Sequence, residues 1–170
     1  ASKAGADLAA RAYGKSYGLP VIALRHANGY GPCDPHESHL IPAAILARSG
    51  TTPLRLRGDG AAKKDYLFVD DVVAAYLRCA ELAECGAHGE AFNAGPDTPA
   101  SVVEILNALV ETGCGVTWTV GGEEQKGYLE HLDSTRLRNF GWKPMVDLRE
   151  GLKSTWEWYS ARGGMAWRLA

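Results

Sequence analysis

Several side chains in this sequence are spaced to grip a polyanion. Asn28 opens a Gly- and Pro-rich stretch, Asn28–Pro35, just beyond the apolar run Val21–Leu24. Its amide offers two donors and an acceptor, a set that suits a diphosphate oxygen or a hexose hydroxyl. Arg55 and Arg57 alternate with apolar residues in Leu54–Arg57, so their guanidinium groups emerge on one face and can meet a ligand together. Lys64, in Lys64-Asp65-Tyr66, adds a charge that neutralises phosphate without the planar fork of an arginine. Ser38-His39-Leu40-Ile41-Pro42 reads as the opening of a helix, where unpartnered N–H groups favour phosphate. Cys33, His36 and His39 have a metal-like spacing, but no fourth ligand accompanies them and structural zinc takes four, so no metal is expected. Asp70-Asp71 has the look of a catalytic carboxylate pair; its place before an amphipathic run assigns Asp70 as a helix cap and both as structural. Trp142, Trp156 and Trp158 read as core.

These groups need a scaffold, and the pattern predicts an alternating one. Ala4, Leu8, Ala9, Ala12 and Tyr13 recur at helical spacing over residues 2–17, and Gly18 and Pro20 end that helix. Val21–Leu24 is a short continuous apolar run, as in a strand buried on both faces of a parallel sheet. A helix capped by Ser38 follows to Arg48, then a half-buried strand Leu54–Arg57, a turn at Gly58-Asp59-Gly60 and a strand Asp65–Val69. The helix capped by Asp70 runs to Glu84, Glu90–Ala94 is a strand, and Ser101 with Glu104 forms a capping box for a helix to Glu111. Val116–Val120 is rich in β-formers, a short helix follows Asp133, and Leu148, Leu152, Thr155, Trp156 and Tyr159 share a face of a last helix from Asp147 to about Ala161. The alternation means α/β with parallel pairing. Two doubly buried strands do not make a stable sheet alone, so the sheet is expected to be incomplete within this chain.

Composition narrows the partners. The 170 residues are 46% hydrophobic and 22% charged, enough to bury a core and too apolar for a disordered chain. No apolar run reaches the length of a bilayer span, so no membrane partner is expected. A net charge of -2 argues against nucleic acid. Four scattered cysteines without a CxxC pair read as free thiols of a reducing compartment, which points to a cytoplasmic protein. No targeting segment is evident.

Four motifs in order carry a resemblance over Ser2 to about Tyr159: Ser2-Lys3 opening a helix; Leu24-Arg25-His26-Ala27-Asn28-Gly29-Tyr30-Gly31-Pro32; Gly58-Asp59-Gly60 with Lys64-Asp65-Tyr66 and Val69-Asp70-Asp71; and Phe92-Asn93-Ala94-Gly95 with Asp133-Ser134-Thr135-Arg136 and Gly141-Trp142-Lys143-Pro144. The sequence resembles the C-terminal half of an extended short-chain dehydrogenase/reductase, of the NAD-dependent nucleotide-sugar epimerase and 4,6-dehydratase group. Within it the sequence looks closest to the CDP-glucose 4,6-dehydratases. The resemblance implies the C-terminal part of a Rossmann-like doubly wound fold plus a small α/β substrate-binding domain. Rossmann elements at about 1–35 and 65–95 would interweave with substrate-binding elements at about 36–64 and 96–170.

The resemblance also assigns roles. Lys3 would be catalytic and hydrogen-bond the nicotinamide ribose, its ammonium lowering the pKa of a tyrosine four positions earlier, two residues before Ala1. His26 and Ala27 would lie against the nicotinamide of NAD. Asn28 would bind substrate, His39 and Leu40 would lie along the nucleotide diphosphate, and Arg55 and Arg57 would contact the base. Lys64 stands where the family usually has a diphosphate-gripping arginine. Lys126 alone, beside Glu123 and Glu124, could replace a second such arginine. A homodimer through the N-terminal helix is implied. The family's Gly-rich cofactor turn has no counterpart: Gly29/Gly31, Gly58/Gly60 and Gly113/Gly115 give only a G-x-G, none opening a helix after a strand. The expectation is therefore the substrate-binding half of a dehydratase or epimerase acting on a nucleotide-diphosphate sugar, a fragment inactive alone. The alternative is a non-catalytic oligomerisation or binding module derived from that family.

Overall fold

The computed structural model describes residues 1–48, 52–121 and 127–162. Helix α1 (Ser2–Tyr17) is rich in alanine, which loses least on entering a helix, and ends where Gly18 takes a left-handed φ of 65°. Strands β1 (Ile22–His26) and β2 (Asn28–Tyr30) follow, then α2 (Leu40–Ala47), β3 (Leu54–Arg55), β4 (Lys63–Lys64), β5 (Tyr66–Phe68) and α3 (Val69–Glu84). Next come β6 (Glu90–Ala94), β7 (Ala100–Ser101), α4 (Val102–Glu111), β8 (Trp118–Thr119), β9 (Leu129–Glu130), α5 (Thr135–Asn139) and α6 (Leu148–Ala161). No helix among the described residues is long and apolar enough to cross a membrane.

The alternation produces the parallel pairing it implies. β1 lies parallel to β6, with Ile22 opposite Glu90 and His26 opposite Ala94. β2 lies parallel to β5, with Asn28 opposite Tyr66. β3 pairs parallel with β8, and β4 lies between antiparallel β7 and parallel β9, with Lys64 opposite Glu130. The chain changes partner within one residue. The N–H of Ala27 still reaches the Ala94 carbonyl at 2.8 Å, whereas that of Asn28 turns to the Asp65 carbonyl at 3.2 Å. Such a parting of neighbours at the carboxyl ends of parallel strands opens a crevice.

Two apolar clusters hold these elements. One gathers Ile45, Ile105, Leu106, Leu109, Leu152 and Tyr159 beneath α2, α4 and α6. The other gathers Leu67, Ala75, Leu82, Phe92, Leu137 and Trp142 among β1, β6, α3 and α5. Trp142 is buried as the sequence predicts, and Trp156 and Trp158 pack half-buried against the first cluster. α1 meets the second region backbone to backbone. A Cβ on Gly14 would lie 2.5 Å from the Gly89 nitrogen, so nothing larger than glycine fits there without moving the helix.

Several local expectations are corrected. β1 is not buried on both faces: Ile22, Ala23 and Leu24 are half-buried and Arg25 and His26 exposed, since α1 leans on its neighbour through glycine rather than a broad apolar face. Ser38 does not cap α2, whose N-cap is His39 without a side-chain bond. Asp70 does not cap α3: the helix begins at Val69 with Phe68 as N-cap. Asp71 is the structural carboxylate. It is 3% exposed and accepts the N–H groups of Met145 at 2.9 Å and Val146 at 3.1 Å, fastening the loop before α6 to the start of α3. The capping box at Ser101 and Glu104 forms as read, with both reciprocal bonds present.

Replacing Asp71 by alanine leaves the part-buried N–H groups of Met145 and Val146 without their carboxylate acceptor. Asp71→Ala is expected to lower unfolding stability in urea by about 2–4 kcal/mol. Asp70→Ala, which removes only an exposed charge near a helix start, is expected to cost less than about 1 kcal/mol.

Candidate functional site

The parting of β1 and β2 from their separate partners leaves a cleft of about 650 Å³. Seven of the residues singled out in the sequence line it: Lys3, His26, Ala27, Asn28, His39, Leu40 and Lys64. Arg55 and Arg57 do not. Both are exposed on either side of buried Leu56, but the strand expected over Leu54–Arg57 ends at Arg55 and Arg57 lies in the bend that follows, so alternation does not carry through to it; neither lines the cleft. Lys126 lies outside the described residues.

Each lining group has a defined setting. Lys3 sits exposed in the first turn of α1. His26 Nδ1 is 2.7 Å from the Ala27 carbonyl oxygen, and since a carbonyl only accepts, Nδ1 carries the proton. Asn28 donates one Nδ2 hydrogen to the Asp65 carbonyl at 3.1 Å, leaving its amide oxygen and second hydrogen uncommitted among the described residues. His39 Nδ1 meets Asp34 Oδ2 at 2.8 Å, and the other carboxylate oxygen takes the His36 N–H at 2.9 Å. Asp34 thereby organises the histidines that resembled a metal set, and among the described residues no group of three His, Cys, Asp or Glu is placed to hold a metal ion.

Lys64 is the cation nearest Asn28 in register, one residue before the carbonyl that holds the asparagine. Its ammonium is 3.2 Å from the Glu130 carboxylate and 5.3 Å from the centre of the Tyr128 ring. The Tyr128 hydroxyl and then Glu130 raise its pKa above the ordinary lysine value, against a smaller opposing effect of burial, so it stays charged.

Sequence reasoning passed over two groups here. Asp65, 2% exposed, accepts the Leu132 N–H at 2.8 Å and lies 3.1 Å from His131 Nδ1, while its backbone carbonyl holds Asn28 twice. The signal was present in Lys64-Asp65-Tyr66, an acid set between residues of a half-buried strand. Arg25, also in the cleft wall, donates Nε to the Asp7 carboxylate of α1, and that bond first of all holds Asp7 below the usual carboxylate range. Tyr30, in the floor, donates to the Leu148 carbonyl at 3.3 Å; burial raises its phenol, followed by the charges of Asp147 and Asp71, so it is a structural donor rather than an acid.

The chain is similar in sequence and fold to known proteins. Residues 1–95 match the NAD dependent epimerase/dehydratase family. A trifunctional UDP-glucose 4,6-dehydratase/UDP-4-keto-6-deoxy-D-glucose 3,5-epimerase/UDP-4-keto-L-rhamnose-reductase of Arabidopsis thaliana is 34% identical over 164 residues, covering 94% of this chain and 24% of that protein. The solved structure of DesIV, a dTDP-glucose 4,6-dehydratase from Streptomyces venezuelae with NAD and TYD bound, matches with a TM-score of 0.78 and 33% identity, over 95% of this chain and 51% of the other. The dTDP-glucose 4,6-dehydratase of Bacillus anthracis in complex with NAD matches with a TM-score of 0.79 and 30% identity, over 94% and 51%. The chain thus spans about half the length of these solved relatives.

Asp65 is the group on which the cleft walls converge. Asp65→Ala is expected to reduce stability by about 2–4 kcal/mol and to speed amide exchange at Leu132. Asp65→Asn, which retains an acceptor for that N–H, is expected to lose about half as much; equal losses would mean the carboxylate's bonds are not what matters there.

Proposed function

The chain belongs to the NAD dependent epimerase/dehydratase family, and from that membership we propose that its cleft holds the nucleoside diphosphate sugar on which a 4,6-dehydratase or epimerase acts. One observation carries the reading: Asn28 and Lys64 line a single crevice just beyond the carboxyl ends of the parallel pair β1 and β6. In this reading the uncommitted amide groups of Asn28 take a sugar hydroxyl or a phosphate oxygen. Lys64 neutralises the diphosphate, and His39 and Leu40 lie along it. Arg55 and Arg57, beyond the cleft wall, serve only a nucleoside that reaches past it, and Lys126 is the candidate for a second cation. The base is read as cytosine, from the likeness to CDP-glucose 4,6-dehydratases, although the relatives named above act on UDP- and dTDP-sugars by their names.

NAD is the cofactor of the family, and it supplies hydride transfer when bound. Residues of this chain fit one end of it. Lys3 offers an ammonium to the nicotinamide ribose, and Ala27 is small and buried, leaving room for a flat ring beside the strand end. The dinucleotide's phosphates find no Gly-rich strand-to-helix turn in this sequence. The role proposed for Lys3 is a positive charge near the reacting hydroxyl that eases loss of its proton. The chain is accordingly read as the C-terminal, substrate-gripping part of such an enzyme, without turnover by itself. Its four free thiols support a reducing, cytoplasmic setting.

Calorimetric titration at low salt with CDP, UDP and dTDP and their glucose conjugates tests the reading. A Kd of about 0.1–1 mM for at least one nucleotide, tightest for CDP-glucose, and about tenfold weaker binding by Lys64→Ala are expected. Absence of heat with every nucleotide at millimolar concentration would remove it.

A specific observation also supports self-association. α1 exposes Leu8, Tyr13 and Tyr17, and α3 exposes Val73, Tyr76 and Leu77. A dimer through α1 is expected in sedimentation equilibrium, converted to monomer by Tyr13→Glu; a monomer at all concentrations would exclude it.

A further inference from the structure

We propose that Glu130 is a specificity-determining residue, an internal anion seated on Lys64 that admits a ligand with two phosphates and disfavours one carrying more negative charge. The inference rests on the reading of the cleft as a nucleotide-sugar site and assigns it a charge filter.

The pair is built into the sheet. Lys64 and Glu130 are register partners of β4 and β9, and the Asp65 N–H holds the Glu130 carbonyl at 3.3 Å. The backbone that carries the carboxylate is therefore fixed in the cleft wall whether or not the side chain touches the lysine. With 31% and 59% of their side chains exposed, the partners form a weak, solvent-screened pair that an incoming diphosphate can displace. Once displaced, the carboxylate stands among the ligand's own charges.

The rest of the wall does not offset it. Lys3, Arg25 and Lys64 line the cleft, and so do Asp34, Asp65 and Glu130. Arg25 is engaged by Asp7, His39 by Asp34, and Asp65 by the Leu132 N–H and His131. The wall is thus balanced charge for charge. A diphosphate can exchange with Glu130 on Lys64; among the described lining residues a further charge meets Arg25, already held by Asp7, and the carboxylates of Asp34, Asp65 and Glu130, whose repulsion at a few ångström lowers affinity severalfold.

The test titrates the whole chain with inorganic pyrophosphate, tripolyphosphate, UDP-glucose and UDP-glucuronate, comparing wild type with Glu130→Gln, Glu130→Asp and the double variant Glu130→Gln/Lys64→Met. Glu130→Gln is expected to bind UDP-glucose two- to fivefold tighter, about 0.4–1 kcal/mol at 1.4 kcal/mol per tenfold. It should gain more for pyrophosphate and UDP-glucuronate, each of which carries about one further charge near neutral pH, and most, about tenfold, for tripolyphosphate. Glu130→Asp should keep the wild-type ratios, and the double variant should lose the gain. Equal gains for all four probes, no gain, or Glu130→Asp behaving like Glu130→Gln would overturn the proposal. The two readings fail separately. If UDP-glucose binds neither protein while the pyrophosphate-to-tripolyphosphate ratio shifts, the filter stands and the nucleotide-sugar reading falls. If UDP-glucose binds both proteins alike and the polyphosphate ratio is fixed, the filter falls and the nucleotide-sugar reading stands.

Discussion

A buried carboxylate at the foot of the cleft governs its shape. Asp65 lies between β4 and β5, where the chain leaves one sheet for the next. Its carbonyl takes two hydrogen bonds from Asn28, its N–H goes to Glu130, and its carboxylate takes the Leu132 N–H and faces His131. The wall built by β2 and the wall built by β9 are therefore tied to one residue. A carboxyl group at this depth is tolerated because its oxygens are met by donors, and that requirement fixes the segment 130–132 in place. The separation of Asn28 from the Lys64–Glu130 pair is thus held by these hydrogen bonds, while the apolar clusters reach the cleft through Ala27, Tyr30, Ile41 and Leu132.

The third wall depends on a different constraint. α1 contributes Lys3 but buries almost nothing, Gly14 being its buried residue among those described. It is placed by the close approach of Gly14 to Gly89 and by the Arg25–Asp7 bond to β1. A backbone contact positions a helix sharply but contributes little hydrophobic free energy, since few apolar atoms leave water. The polar tie between Asp7 and Arg25 then fixes the rotation of the helix, and with it the side on which Lys3 emerges.

Most of the scaffold was legible because local chemistry decided it. The Gly18 stop, the Ser101–Glu104 capping box and the α/β alternation each rest on neighbours in sequence. What escaped depended on partners far along the chain. Asp71 serves residues 145 and 146, so its role could not be told from that of Asp70 by position alone. Asp65 likewise answers to residues 28 and 132. Arg55 keeps its place on a strand paired with β8, but the strand stops there and Arg57 falls in the bend beyond it, an ending set by the short pairing with β8 that the sequence does not mark. In the cleft, a cation at Lys64 was legible; its engagement by Glu130 was not, because it needs the register of β4 against β9.

Pairing each cation before a ligand arrives has a physical logic. Three positive groups facing one small cleft would repel each other and disfavour the folded chain. Giving Arg25 and Lys64 their own carboxylates removes that repulsion and holds both side chains in place. Binding then becomes an exchange of one anion for another, with a small net gain, so tight binding must come from contacts made by the uncharged parts of a ligand. Lys3 differs from the other two. It makes no ion pair among the described residues, and its charge remains undiminished at the cleft edge. A cation that only holds a ligand works well as one half of an exchangeable pair. A cation left unpaired keeps its full field for charge that develops on a neighbouring oxygen, and of the two described lysines that line this cleft it is Lys3 that is left so.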